Sequence, residues 1–140
     1  MNFLLDTNVV SEWARPAPDA RVVTWLRQVD EDRTFLSVMT LGELGHGVER
    51  LPDGERKRRL GAWLSTALRE RFGERILPID PQIAQAWGVL MARADATGRP
   101  AGAMDGWLAA TAMCHALTIV TRNTRDFSAF AVPLLDPWEA

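Results

Sequence analysis

FLLDTN, residues 3–8, joins three apolar residues directly to an Asp, a Thr and an Asn. A short apolar run of this kind indicates a buried strand, whereas Asp, Thr and Asn favour the capping position at the start of a helix. A helix through residues 9–14 is expected to follow, before the break at Arg15-Pro16. The segment therefore predicts a strand that passes at once into a helix, with Asp6 at the junction.

The same alternation of short apolar strands and helices continues along the chain. Asp19 is suited to cap a second helix that carries Val22, Val23, Leu26 and Val29, and Asp80-Pro81 combines a cap with a proline at the first helical position. The further strands are predicted at 34–38, 76–79, 117–121 and 132–135, and the further helices at 40–51, 55–72, 81–96 and, after a loop at 97–100, about 104–115. Five short strands separated by helices predict a three-layer α/β domain, in which a mainly parallel sheet is flanked by helices.

The composition limits the classes of protein to consider. A chain of 140 residues with 47% hydrophobic content is long enough for one ordinary core, so a single domain over residues 1–140 is expected. The net charge of −2 argues against coating of nucleic acid through bulk positive charge, so any nucleic-acid site must be local. A lone Cys114 excludes an internal disulfide. No apolar run approaches the roughly 20 residues of a membrane span, and a cytoplasmic location is expected.

Four acidic residues fall where the predicted sheet would present a ligand site. Asp6 directly follows the first strand, Glu43 lies one turn into the helix after the second, Asp105 opens the small-residue helix, and Asp126 lies just after the fourth strand. Each alone also fits a helix cap, a solvated helix position or a turn. However, the carboxyl ends of parallel strands share one edge of the sheet, and independent caps have no reason to converge there.

Convergence of these carboxylates implies a bound cation. Two carboxylates about 4 Å apart repel by roughly 4 kcal/mol at an effective dielectric near 20, so several in one pocket must protonate or share a metal. Oxygen ligands without His or Cys nearby favour Mg²⁺, or alternatively Mn²⁺, over zinc. Such a metal can activate a water molecule and offset the charge that develops on a phosphodiester under attack.

Four motifs in this order resemble those of the PIN-domain family, and specifically of the VapC and FitB toxins of bacterial type II toxin–antitoxin operons. The motifs are LLDTNVVSE at 4–12, LSVMTLGEL at 36–44, DGWLAATA at 105–112 and TRNTRDF at 121–127, with Pro137-Trp138 as a common ending. The resemblance covers nearly the whole chain. It implies a PIN fold and a toxin that cleaves RNA under Mg²⁺, forms a homodimer and is silenced by a cognate antitoxin protein.

The resemblance also implies roles for individual residues. Asp6 and Asp105 are expected to be direct metal ligands, and Glu43 and Asp126 to complete the acidic pocket directly or through metal-bound water. The other polar residues of the first and fourth motifs are expected to support the acids: Thr7, Asn8, Thr121 and Asn123. Thr7 and Asn8 would supply hydrogen bonds to Asp6.

One departure from the family pattern concerns the fourth acid. Some relatives carry it where this chain has Asn123, and others where it has Asp126. Asn123 is neutral and cannot supply charge, so the fourth carboxylate is expected from Asp126.

Three other enzyme or signalling classes that use an Asp near a strand end or a catalytic triad fit this sequence less well. A haloacid-dehalogenase-type phosphatase needs a second Asp at the position of Asn8, and a receiver domain needs a lysine beside its acids, whereas Lys57 lies in a charged helix. A Ser/His/Asp hydrolase is disfavoured because His46 and His115 fall inside predicted helices and no Gly-x-Ser-x-Gly motif occurs. The remaining alternative is a PIN fold that serves as a catalytically weak RNA-binding module.

Some surface features bear on partners. The run Glu55-Arg56-Lys57-Arg58-Arg59 is typical of a solvated helix face, with contact to RNA phosphates as the alternative, and Trp13 is near enough to Asp6 in sequence to be considered for base stacking. The apolar surroundings of Trp13, Trp25 and Trp63 are candidates for a hydrophobic groove between the early helices that binds the antitoxin.

Overall fold

The computed structural model describes residues 1–99 and 101–139, so Ala140 and Pro100, the last residue of the predicted loop 97–100, lie outside the described residues. Within these residues, helices connect the first four of five strands, and a 3₁₀ turn lies between the last two. The strands are β1 (Phe3–Leu5), β2 (Thr34–Ser37), β3 (Ile76–Leu77), β4 (Thr118–Val120) and β5 (Leu134–Leu135). The α-helices are α1 (Thr7–Glu12), α2 (Ala20–Gln28), α3 (Val38–Glu49), α4 (Glu55–Ala62), α5 (Arg69–Phe72), α6 (Pro81–Ala96) and α7 (Ala103–His115).

The sheet has the order β3-β2-β1-β4-β5, and every neighbouring pair is parallel. β1 is central, with Leu4 opposite both Phe35 and Ile119. The carboxyl ends of β2, β1 and β4 therefore lie side by side. This topology confirms the predicted parallel α/β sheet and creates the edge where the acidic residues were expected to meet.

Successive residues of the central strands enter two different cores. Leu4 and Ile119 belong to a core shared with α6 and α7, whereas Leu5 and Val120 belong to a core shared with α1, α2 and α5. This alternation follows from the period of two along a strand. All four side chains are fully buried. The two cores confirm the predicted three layers.

Most of the observed elements begin or end one or two residues away from the predicted bounds, and two differences have an identifiable physical cause. The predicted helix 55–72 contains a wider π-helical stretch, Trp63–Leu68, where the hydroxyls of Ser65 and Thr66 both donate to the carbonyl of Ala62 and compete with its backbone partner. The strand predicted at 76–79 ends at Leu77 because Pro78 has no N–H to donate to a neighbouring strand.

None of the helices in the described part of the chain is long and apolar enough to span a membrane.

Candidate active site

The topology brings the four predicted acids to one edge of the sheet. Asp6 directly follows β1, and Glu43 lies on α3, which begins where β2 ends. Asp126 lies in a 3₁₀ turn, Thr124–Phe127, shortly after β4. Asp105 reaches the same edge by a different route, because α7 precedes β4 and runs back across the sheet, so that the start of α7 lies near the end of the strand.

Asp6 is held by its neighbours on three sides. Its backbone N–H donates to the carbonyl of Val120 at 2.9 Å, which extends the β1–β4 pairing by one residue. Its Oδ1 accepts the backbone N–H of Thr7 at 2.7 Å, which caps α1. Its Oδ2 accepts the Thr121 hydroxyl at 2.7 Å and, at a longer 3.4 Å, the Asn8 side-chain amide. The carboxylate therefore has a fixed orientation.

The surroundings of Asp6 raise its pKa above the ordinary value. Burial is the largest cause, since the residue is only 8% exposed, and the charge of Asp126 adds to it. The hydrogen bonds from Thr121 and Thr7 act in the opposite direction because they favour the charged form. Asp6 thus carries a desolvation cost that its hydrogen bonds offset in part.

Thr7 connects Asp6 to Glu43. Its backbone N–H binds Asp6, as expected, but its hydroxyl donates to Glu43 Oε1 at 2.7 Å. The sequence analysis predicted only the contact with Asp6; the additional contact with the acid on α3 arises because α1 packs beside that helix. One residue therefore orients two of the four acids.

Asp105 lies in the first turn of α7, although it does not cap the helix. Gly102 occupies the capping position, which corrects the alternative that Asp105 is a helix cap. The Asp105 side chain is half-buried, and its pKa is raised to about 6, first by burial and then by the charges of Asp6, Asp126 and Glu43. The four carboxylates therefore share one electrostatic environment.

Within the fourth motif, Asp126 is the residue whose charge acts on the other acids. This residue is exposed, and its charge raises the pKa of both Asp6 and Asp105. Asn123 is also exposed, and its side chain does not cap the 3₁₀ turn that follows it. Its backbone N–H donates to the Thr121 hydroxyl at 3.0 Å, so Asn123 supports the residue that holds Asp6.

The residue types in the pocket suit a hard divalent cation, but their side chains are not yet placed to bind one. Across residues 1–99 and 101–139, no three acidic, histidine or cysteine side chains stand close enough to hold a metal ion. The ligands on offer are nevertheless carboxylate oxygens, which Mg²⁺ and Mn²⁺ prefer, and a cation would relieve the repulsion felt by Asp105. Binding of one cation by three or more of these acids therefore requires side-chain movement or bridging water.

Trp13 and Trp138, two tryptophans from the family motifs and their surroundings, make their contacts with other residues than the four acids. Trp13 packs against Phe72 in the core opposite α6 and α7, with the Arg71 guanidinium 4.5 Å from its ring centre, and these contacts give no support to the base-stacking hypothesis for Trp13. Trp138, from the common ending, is buried beneath Arg122 at 5.3 Å.

Two features were not identified from the sequence. Glu12 is 2% exposed and accepts hydrogen bonds from Arg15 and from the backbone of Asp19, so it joins the end of α1 to the start of α2. A pocket between α1, α3 and α4 adjoins Glu43 and contains Trp63. The sequence signals for this pocket are Trp63, which was considered for a groove between the early helices, and the small residue Gly47 on α3.

Comparison with known proteins gives a consistent result. A family model described as the PIN domain matches residues 3–133. The chain is 41% identical to Toxin FitB of Neisseria gonorrhoeae, over 97% of this chain and 98% of that protein. It is 34% identical to VapC ribonuclease Y4jK of Sinorhizobium fredii, over 98% of both. The crystal structure of FitAcB from Neisseria gonorrhoeae superposes with a TM-score of 0.93 at 40% identity, covering 99% of both chains.

Proposed function

Because this chain belongs to the PIN-domain family and is a relative of the FitB and VapC toxins, we propose that it is an endoribonuclease and the toxin of a type II toxin–antitoxin pair. Its activity depends on Mg²⁺, for which Mn²⁺ can substitute. Its substrate is RNA, its inhibitor is a cognate antitoxin protein, and its site of action is the cytoplasm.

One observation carries the enzymatic part of the proposal. The pKa of Asp105 is raised to about 6 by burial and by three other carboxylates, at the edge of the sheet where α/β domains bind ligands. A protein that used these acids only as helix caps would have no reason to bring four of them within electrostatic range.

We assign separate roles in metal binding, orientation and proton transfer to these residues. Asp6 and Asp105 would hold the cation, which when bound activates water and offsets charge on the phosphodiester. Thr121 and the Thr7 backbone keep Asp6 in one orientation, so that little ordering is needed when the cation binds. The Thr7 hydroxyl holds Glu43 toward the same pocket, where its carboxylate can accept a proton from attacking water.

The test is cleavage of RNA by purified, antitoxin-free protein. We expect cleavage with Mg²⁺ or Mn²⁺ and none with EDTA, and we expect Asp6→Asn and Asp105→Asn each to abolish it. Asp53→Asn is the matched control, since it removes the same charge from a fully exposed loop position. Cleavage that persists in EDTA would contradict the metal requirement, and near wild-type rates in either site variant would remove that residue from the site.

A catalytically weak RNA-binding module is the second candidate. It is favoured by the lack, among the described residues, of three side chains already placed to bind a metal. Binding of RNA without Mg²⁺-dependent cleavage would support it over the nuclease.

We further propose that the antitoxin binds between α1 and α2. Trp13, Trp25 and Trp63 do not form one groove but line three separate pockets. The largest of these, about 620 Å³, lies beside Trp13 and is walled by Val23 and Leu26 of α2. Its apolar walls suit a segment of a partner protein.

A further inference from the structure

The pocket between α1, α3 and α4, called here the α3–α4 pocket, has a volume of about 320 Å³. Thr7 and Glu43, which are joined by a 2.7 Å hydrogen bond, form its end nearest the acids. Its apolar walls are Leu44, Val48, Leu60 and Trp63. The volume is at the lower end of the range for pockets that bind small organic groups.

Two arginines border the α3–α4 pocket. Arg15 is exposed and uses one N–H to bind Glu12 at 2.9 Å, which leaves most of its donors free. Arg56 is exposed and forms no salt bridge with any residue in 1–99 or 101–139. Its neighbour Lys57, by contrast, is already paired with acidic residues. The rim of the pocket therefore offers two guanidinium groups, with Glu43 as the acid at the end nearest the other carboxylates.

We propose that the α3–α4 pocket binds one nucleotide of the RNA substrate, next to the phosphate that is cleaved. An unpaired base would lie against the apolar walls that include Trp63, and an adjoining phosphate would bind Arg15 and Arg56. The proposal rests on the proposed function for the identity of the substrate, and it adds that the RNA must be single-stranded at this position.

Continuity with the acids is the reason to choose RNA as the occupant. Because Thr7 and Glu43 belong to both sites, an RNA chain bound at the acids lies next to the α3–α4 pocket. Such a chain must place a phosphate at the acids, where a cation would bind. It must then place a flat apolar group in the pocket and a second negative charge at the two arginines. A single-stranded nucleic acid has this alternation along its length.

Two glycines of α3 allow a matched test. A side chain added at either Gly42 or Gly47 would meet no atom within 4 Å of its Cβ, but only Gly47 lines the pocket. Gly47→Leu should therefore fill the pocket without disturbing the fold, and Gly42→Leu should add the same side chain outside it. Binding is measured by fluorescence anisotropy with a short labelled single-stranded RNA pool of randomised sequence. Both variants are made in the Asp105→Asn background with Mg²⁺, so that the RNA is not cleaved.

We expect Gly47→Leu to weaken RNA binding by about tenfold, and Gly42→Leu by less than about twofold, since tenfold corresponds to about 1.4 kcal/mol and falls within the range for one stacked base. Equal effects of the two variants, or no RNA binding by the parent protein, would overturn the proposal. Loss of antitoxin binding by Gly47→Leu with RNA binding intact would also overturn it, and would assign the pocket to the partner protein.

The arginine contact has its own matched pair. Arg56 and Arg58 are both exposed on α4, but only Arg56 lines the pocket. Arg56→Gln should weaken binding of the same RNA more than Arg58→Gln does, and should reduce its dependence on salt. Equal losses would contradict a phosphate contact at Arg56. If the variants behave as expected but the protein cleaves no RNA, the nuclease proposal fails and the nucleotide site is retained. If the protein cleaves RNA but the pocket variants bind RNA as the parent does, the nucleotide site fails and the nuclease proposal is retained.

Discussion

Replacing Asp105 by Asn should make the metal-free protein more stable while it removes activity. The pKa of Asp105 in the folded protein is about 6, above its ordinary 3.8. A raised pKa of this kind contributes stability that is fully present below about pH 3.8 and is lost as the pH rises through 6. At pH 7.5 the charged carboxylate is therefore a net cost to the fold, and the neutral amide removes it.

The size of the gain follows from the structure. A rise in pKa from 3.8 to about 6 corresponds to roughly 3 kcal/mol. Because Asp105 is only half-buried, solvent screening reduces this to about 1.5 kcal/mol. Its place in the first turn of α7 opposes the gain by about 0.5 kcal/mol, since a negative charge is favourable at a helix start. A net gain of about 1 kcal/mol should raise Tm by roughly 3 °C.

Thermal unfolding in EDTA measures this gain directly. Asp105→Asn should melt above wild type at pH 7.5, and the difference should disappear near pH 4, where wild-type Asp105 is itself protonated. Mg²⁺ should narrow the difference by stabilising only the wild type. Asp53→Asn, at an exposed loop position, should change Tm little at either pH. A difference independent of pH, or none at all, would refute the electrostatic coupling of the four acids.

Three further predictions concern the fourth motif and assembly. Asp126→Asn should reduce metal affinity, measured by calorimetry, far more than Asn123→Ala does, because only Asp126 adds charge to the pocket; the reverse order would transfer the fourth position to Asn123. Thr121→Val should destabilise the protein by about 1–3 kcal/mol in denaturant unfolding, since it leaves the buried Asp6 without a 2.7 Å hydrogen bond, whereas Thr121→Ser should retain most of the stability. Light scattering at micromolar concentration should give the mass of a homodimer, and a monomer would count against the assembly implied by the family.

The features that were predicted correctly depend either on neighbours in sequence or on the order of the strands. Asp19 and Asp80 cap their helices as expected, because a cap is decided within three residues of the acid. The convergence of the four acids was also predictable, since it follows from the parallel order of the strands. The placement of the domain over residues 1–140 stays a prediction.

The features that were missed depend on contacts between distant residues. The hydrogen bond from Thr7 to Glu43 spans 36 positions, and no local pattern distinguishes a hydroxyl that serves the preceding Asp from one that serves another helix. Trp13 is only seven residues from Asp6 in sequence. The packing of α1 nevertheless turns the Trp13 side chain toward Phe72, in the core shared with α1, α2 and α5. The direction of a side chain on a helix depends on what the helix packs against.

The two acids proposed as metal ligands meet the cost of burial in different ways. Asp6 is the more buried, but the hydrogen bonds from Thr7 and Thr121 offset part of its desolvation. For Asp105 every identified cause raises the pKa, from burial to the charges of the other acids. The unrelieved repulsion is therefore concentrated on Asp105, which makes it the ligand that gains most from a cation. Asp6 is then the fixed half of the proposed site, and Asp105 is the half whose repulsion a cation would relieve.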